Sequence, residues 1–489
     1  MRFITRITFT LLAVFCSLTV RAQQVTMEPP PVDFATLDAI AAENADPLDA
    51  VVAAVRRYDP QAKYENTLYA LSTGNRLDAV LQTPNVWGKP PGSVDWGHSN
   101  PFADTIGNTI AEAQSAVDIT TLWPAPDGYF AGTIQTGLKA LARSGRPVTV
   151  RLLVGHYFPN NFDAKGYLAT LRDAVKSIPN SRLTIYAAGA RTNAASWNHS
   201  KIVAVDGRKA IVGGHNLWPL DYLGPRPVHD LSILVSGPAA RSSHQFANAL
   251  WRNVCEWNNK GLNPIYSYKW KSGSNDIVSD CVAELPLQAP AVTGTTRMFG
   301  AGRAAAGVVP DASLANPADV AILAAFAAAK RTIRISQQDL ALANVFAPSL
   351  GGIALALARK VDVSIVLTTP FAKAGNGQLY STGTTLLATR AAVAAALGLL
   401  GLNAQEVAER MTRFHLVSLK FTDANAWPNG WGFANHAKMF IIDDELFYVG
   451  SHNLYPTTLQ EYGYFVGNAE ATRAMVTQYW DPLWKWSNR

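Results

Sequence analysis

The chain has 489 residues, 48% hydrophobic and only 16% charged, which allows two or three cored domains and excludes a disordered or fibrous chain. Its net charge is +6, and losing Arg2, Arg6 and Arg21 with the leader described next would leave +3. That mild balance suits an anionic or zwitterionic membrane surface and argues against a dedicated nucleic-acid binder, whose basic stripe is stronger.

Arg2 and Arg6 precede the apolar run ITFTLLAVFCSLTV, and a small residue, Ala22, follows. This order predicts a secretory signal over 1–22 and a secreted or periplasmic protein. The run is shorter than the roughly 20 residues a membrane span needs. A lipid-anchored start at Cys16 is disfavoured by bulky Phe15. The mature chain keeps Cys255 and Cys281, and an oxidising compartment favours a disulfide between them over two buried thiols.

Downstream, DTIGNTIAEAQSA reads as helix and VDITTL as strand; GTIQTGLKALARSG and PVTVRLLV repeat the alternation. Much later PADVAILAAFAAAK, RTIRIS, GGIALALARK and VDVSIVLTT do so again. Apolar strands alternating with helices predict sheets covered on both faces. The expected fold is α/β: two similar α/β/α sandwich domains related by a pseudo-twofold axis, sheets face to face, with the active site at their interface. The expected division is 23–285 for the first domain, an Ala/Gly/Pro-rich linker or loop over 286–315, and 316–489 for the second.

Each half carries one copy of a single pattern. WNHSKIVAVDGRKAIVGGHN begins at Trp197, and ANHAKMFIIDDELFYVGSHN begins at Ala434. Both fit H-x-K-x4-D-x6-G-[GS]-x-N: His199, Lys201, Asp206, Gly213, Gly214, Asn216, then His436, Lys438, Asp443, Gly450, Ser451, Asn453. A lone His-x-Lys means little; two copies matching at every fixed position do not arise by chance. On a strand, residues two apart share a face, which would set each His beside its Lys. Asp206 and Asp443 fall at hairpin turns, where an Asp caps more often than it reacts. Gly214 and Ser451 let the backbone approach a ligand, and Asn216 and Asn453 add amides there.

Two imidazoles, two ammonium groups and two amides suit a phosphodiester. The cations and amides would hold the non-bridging oxygens and the charge of a pentavalent transition state. One imidazole would attack phosphorus while the other moves the protons. Each needs a carboxylate on its other nitrogen. Asp230, in PVHDLSIL, and Glu461, in LQEYGYFV, follow the two motifs. A metal site is not expected, because a Lys fixed beside each His repels a cation. No cofactor is called for.

The doubled motif resembles the phospholipase D superfamily, in the manner of its secreted bacterial, actinobacterial-type members. The likeness runs from about Tyr69 to the C-terminus and includes GNRLDA, WNHSK, ISQQDL, FYVGSHNLYP, LQEYGY and DPLWKWS. It implies that His199 is the nucleophile, oriented by Glu461 from the other half, and that His436 is the general acid and base, oriented by Asp230. It further implies that Lys201, Lys438, Asn216 and Asn453 bind phosphate and that Asp206 and Asp443 are structural. Trp218, Tyr222 and Tyr380 would line the headgroup and lipid pocket, where aromatics attract a choline ammonium. Glu461 stands where some relatives carry Asp.

The resemblance thus implies a phospholipase D that hydrolyses glycerophospholipids, phosphatidylcholine first, to phosphatidic acid and free headgroup through a phosphohistidine. Small alcohols would capture the same intermediate. The expected partner is phospholipid at a membrane or micelle surface, with no nucleic acid, and the chain is expected to be a monomer. Two other readings remain open: a secreted phosphodiesterase or nuclease using the same chemistry, and a non-catalytic lipid-binding protein, against which the intact motifs stand.

Overall fold

The computed structural model describes residues 32–89, 100–193, 196–260, 264–289, 291–304, 314–375 and 377–489. The expected leader over 1–22 lies outside them. Two helices come first, α1 (Phe34–Glu43) and α2 (Pro47–Tyr58). Pro47 opens α2 at a position that needs no N–H, and the Asp46 carboxylate caps it by accepting from Leu48 and Asp49 N–H.

The first half continues with β1 (Tyr69–Thr83), α3 (Asn100–Ala111), β2 (Ala116–Leu122), α4 (Gly128–Ser144), β3 (Thr149–Gly155), α5 (Ala164–Val175) and β4 (Thr184–Asn193). The motif strands follow as β5 (Ile202–Val205) and β6 (Lys209–Gly213), then β7 (Asp230–Ser236), α6 (Ala239–Trp257) and β8 (Tyr266–Lys271). Strands β2, β3 and β4 are parallel; β5, β6, β7 and β1 extend the sheet antiparallel from β2.

The second half repeats this order. It runs β9 (Thr296–Arg303), α7 (Pro317–Ala328), β10 (Thr332–Ser336), α8 (Pro348–Ala358), β11 (Asp362–Leu367), α9 (Leu386–Leu399), α10 (Ala404–Met411), β12 (Phe414–Ser418), β13 (Met439–Ile442), β14 (Leu446–Gly450) and β15 (Glu461–Gly467). Here β10, β11 and β12 are parallel, and β13, β14, β15 and β9 extend antiparallel from β10. All residues of β2, β13 and β14 are buried, as strands covered on both faces require.

Three findings depart from the sequence reading. Each half holds a third parallel strand, β4 and β12, before its motif. The stretch 286–315, expected as an open connection, contains β9, an interior strand of the second sheet. Finally, the sheets join through a shared edge where stacked faces were expected. Strand β1 pairs with β9 from Tyr69 to Asn75 and, past a register shift, with β7 from Arg76 to Thr83. One core runs through this join, from Val212 and Ile233 to Phe299, Ile335 and Phe465. The N-terminal helices α1 and α2 pack on α7, in the half farthest from them in sequence.

Cys255, near the end of α6, is disulfide-bonded to Cys281, with Cα atoms 5.5 Å apart. Among the described residues no helix is long and apolar enough to cross a membrane.

Candidate active site

Both motif hairpins are fastened by the same device. Asp206 and Asp443 turn the chain with positive φ, 56° and 54°. The Asp206 carboxylate accepts N–H groups from Gln114, Ser115 and Ala116 at 2.7, 2.8 and 2.9 Å, just where β2 starts. Asp443 accepts from Lys330, Arg331 and Thr332 at 2.8, 2.7 and 2.7 Å, where β10 starts. Three charge-assisted bonds to otherwise orphaned donors make each turn a fixed point.

The residue before each His repeats the symmetry. Asn198 donates to Thr121 O and accepts Ser200 N–H; Asn435 donates to Val366 O and accepts Ala437 N–H. The His-x-Lys segments lie just ahead of the hairpin strands and not on them as the spacing suggested, since β5 begins at Ile202 and β13 at Met439. Each Lys Nζ donates to its own His carbonyl, Lys201 at 2.6 Å and Lys438 at 2.5 Å.

The halves then exchange partners. His199 N–H donates to Gln460 O and His436 N–H to His229 O, both at 2.7 Å. Gln460 precedes Glu461 and His229 precedes Asp230, so each backbone bond delivers a carboxylate to the opposite motif. His199 Nδ1 lies 2.7 Å from Glu461 Oε1, and His436 Nδ1 lies 2.8 Å from Asp230 Oδ2. With each Nδ1 engaged, chemistry falls to Nε2. The ring centroids stand 6.5 Å apart at 80°.

This pocket is buried and cationic. Burial, and after it Lys201 and Lys438, holds the His199 pKa well below the ordinary range. His436 is lowered by burial, then Lys438 and Lys201. A ring held in this way starts neutral, with the lone pair a nucleophile needs, and the negative charge of a bound phosphodiester would favour a proton on the ring that acts as the acid. Burial lowers Lys438 to about 8 against the support of Asp230 and Glu461, and it lowers Lys201 too, with Lys438 adding to the effect and Glu461 and Asp230 opposing it. Two crowded ammonium groups shared between two carboxylates suit the binding of one further anion, such as a phosphodiester. Asn216 Oδ1 and both amide atoms of Asn453 are buried without a partner among the described residues, ready for a ligand.

The other expected site residues also bond to the scaffold around the two rings. A Cβ on Gly214 would come within 2.1 Å of Asp230 Oδ1, so this position must be glycine. Ser451 exchanges hydrogen bonds with the Tyr462 backbone on β15. The Tyr222 hydroxyl donates to Asp230 Oδ2 at 2.8 Å. Trp218 is buried and donates its indole N–H to Pro124 O at 2.9 Å. Tyr380 stands edge-on to His436, centroids 5.2 Å apart, with its hydroxyl on Asp221. Burial raises Asp221 to about 6 against that bond. Beside Asn453 opens a cleft of about 380 Å³, lined in part by Phe34, Ile322, Leu323, Leu454 and Tyr455.

Three features escaped the sequence reading. Asn198 and Asn435 could have been found, because Asn precedes His in both copies. His215 and His452, inside GGHN and GSHN, are equally visible and equally buried: His215 bridges Thr83 and Ser232, and His452 meets the Tyr448 hydroxyl. Arg303, paired with the second oxygen of Glu461, gave no signal because it sat in the expected linker.

The chain is 30% identical to a Streptomyces antibioticus protein named phospholipase D over 500 residues, covering 90% of this chain and 88% of that one. Among solved structures it is similar to the phosphatidylserine synthase of Haemophilus influenzae Rd KW20. The TM-score is 0.52 and the identity 13%, over 88% of this chain and 89% of the other. No family model matches.

Proposed function

Because the chain belongs to the phospholipase D family and is a phosphodiester hydrolase of that type, we propose that it hydrolyses glycerophospholipids, phosphatidylcholine first, to phosphatidic acid and free headgroup. His199 Nε2 attacks phosphorus and the P–O bond to the headgroup breaks. His436 supplies the proton that leaves with the headgroup alcohol. The phosphate stays on His199 as a phosphohistidine. His436 then takes a proton from water, which attacks phosphorus and frees His199 and phosphatidic acid. Glu461 and Asp230 keep both rings in the tautomer this requires. Lys201, Lys438, Asn216 and Asn453 bind the phosphoryl oxygens and stabilise the charge that grows on them. A small alcohol entering in place of water gives the transfer product, so transphosphatidylation accompanies hydrolysis.

The observation that carries this reading is the crossed pairing of two carboxylate-anchored imidazoles around two buried lysines. The apolar cleft beside Asn453 supports a lipid as the diester. Tyr380, edge-on to His436, is the aromatic best set to meet a headgroup. We further propose that the chain is exported with cleavage after Ala22 and works as a monomer at a membrane or micelle surface.

The test is to offer the purified chain a mixed phospholipid panel, plasmid DNA and ethanol, with a chelator present. Choline release with phosphatidylethanol, and no nicking, is expected. Nicked DNA with intact lipid would overturn the lipid assignment in favour of a nuclease. N-terminal sequencing of the extracellular protein tests export.

A further inference from the structure

The two imidazole–carboxylate pairs occupy equivalent positions in equivalent sheets, yet their surroundings differ in one charge. In the first half β1 sets Thr83 directly across from Asp230. In the second half β9 sets Arg303 directly across from Glu461. Thr83 is neutral, and its hydroxyl bonds His215 Nε2 at 2.8 Å. Asp230 therefore receives, besides His436, the Tyr222 hydroxyl and the Leu231 N–H, both at 2.8 Å. Among the described residues no Lys or Arg makes an ion pair with it.

Glu461 is held differently. Arg303 Nη1 donates to its second oxygen, while Arg303 Nε donates to Asp319 Oδ1 at 2.9 Å. Asp319 lies in the first turn of α7. The guanidinium is almost wholly buried between two carboxylates. Burial works against its charge, but Asp319 and Glu461 outweigh that, and the pKa is held above the ordinary arginine value.

We propose that Arg303 is the positioning residue that divides the work between the two imidazoles. By compensating Glu461 it keeps His199 a neutral nucleophile, while Asp230, which faces the same two lysines but has neutral Thr83 and no guanidinium across from it, is left to support the proton on His436. The physics is ordinary: a cation on the far side of a carboxylate weakens the support that carboxylate gives an imidazolium. The other groups facing His199 are Lys201, Lys438 and His436, and Arg303 adds to their lowering of its proton affinity. His452 and Tyr448, which also face Glu461, are neutral, with His452 lowered to about 3 by burial. For His436 the lowering comes from burial and the two lysines. The proposal deepens the reading above, since it rests on His199 being the attacking ring.

The experiment follows both ring titrations by nitrogen-15 NMR on the full chain, alongside the pH profile of kcat/KM. In Arg303→Gln the His199 titration should rise by roughly one unit, with His436 moving less than half as far. The acid limb of kcat/KM should rise with His199. Arg303→Lys should restore both. Asp319→Asn should move His199 the opposite way, because it removes a negative charge from the same cluster. Equal movement of both rings, or shifts of one sign in Arg303→Gln and Asp319→Asn, would overturn the proposal. Should Arg303→Gln not fold, the direction of the Asp319→Asn shift decides alone. Wild-type protein that spares phosphatidylcholine would sink the lipid reading, yet the NMR titrations would still judge Arg303.

Discussion

The two halves of the site are copies in their backbone and opposites in their electrostatics. Asp206 and Asp443 fasten their turns with the same three-donor arrangement, and Asn198 and Asn435 brace their motifs alike. Around the working carboxylates the likeness stops. A phenol and a backbone N–H hold Asp230, whereas a guanidinium holds Glu461. Duplication supplies a symmetric cage, which we assign to a phosphorus atom. A reaction in which one ring attacks and the other moves protons needs that symmetry broken. The break is introduced beside the carboxylates, where it leaves the cage intact.

The comparison is tested most severely at the rings. His199→Ala and His436→Ala should each lower choline release by about a thousand-fold or more. They should separate on a lipid whose leaving group is p-nitrophenol, which departs without a proton. There His436→Ala should regain much of the rate of the first-turnover nitrophenolate burst, with slow turnover after it, and His199→Ala none. Equal rescue, read from nitrophenolate absorbance, would break the division of roles.

Gly214 and Ser451 occupy the same motif position. Gly214→Ser, which makes the first copy resemble the second, should push Asp230 away and cost about a hundred-fold in kcat. Ser451→Gly should cost far less. Near-equal losses would mean that the close approach of Gly214 to Asp230 is unimportant.

Where the halves are alike, losses should match. Asp206→Asn and Asp443→Asn should each lower stability by about 2 kcal/mol, read from urea midpoints, since each strands buried donors. A mild effect in one half only would show that the likeness is geometric and not energetic.

The smallest effect concerns pH. Lys438 is held down at about 8 by burial, so its ammonium is present below that pH and lost above it. The kcat/KM profile should therefore fall on the alkaline side near that value. Lys438→Arg, whose guanidinium keeps its proton, should move the limb upward if it is active.

Much of this was written in the chain. The doubled motif, its hairpins and the alternation of helices and strands were legible, because period and spacing are local properties. The third parallel strands were not. TIYAAGARTN carries an Ala–Ala–Gly–Ala run and FHLVS a His and a Ser, so neither shows the apolar pattern of an interior strand. Thr296–Arg303 was hidden in an Ala/Gly/Pro-rich context, and Arg303 with it. The packing of α1 and α2 on the distant half has no local signature at all.

The sequence by itself picked out the side chains to which we assign the chemistry: two imidazoles, two ammonium groups and the carboxylates that follow them. The tertiary structure decided which carboxylate meets which ring and where a compensating cation sits. Glu461 and His199 are 262 residues apart, Asp230 and His436 are 206 apart, and Arg303 and Glu461 are 158 apart. Such contacts depend on how strands from distant segments pair across a shared edge. No local pattern of residues encodes that pairing.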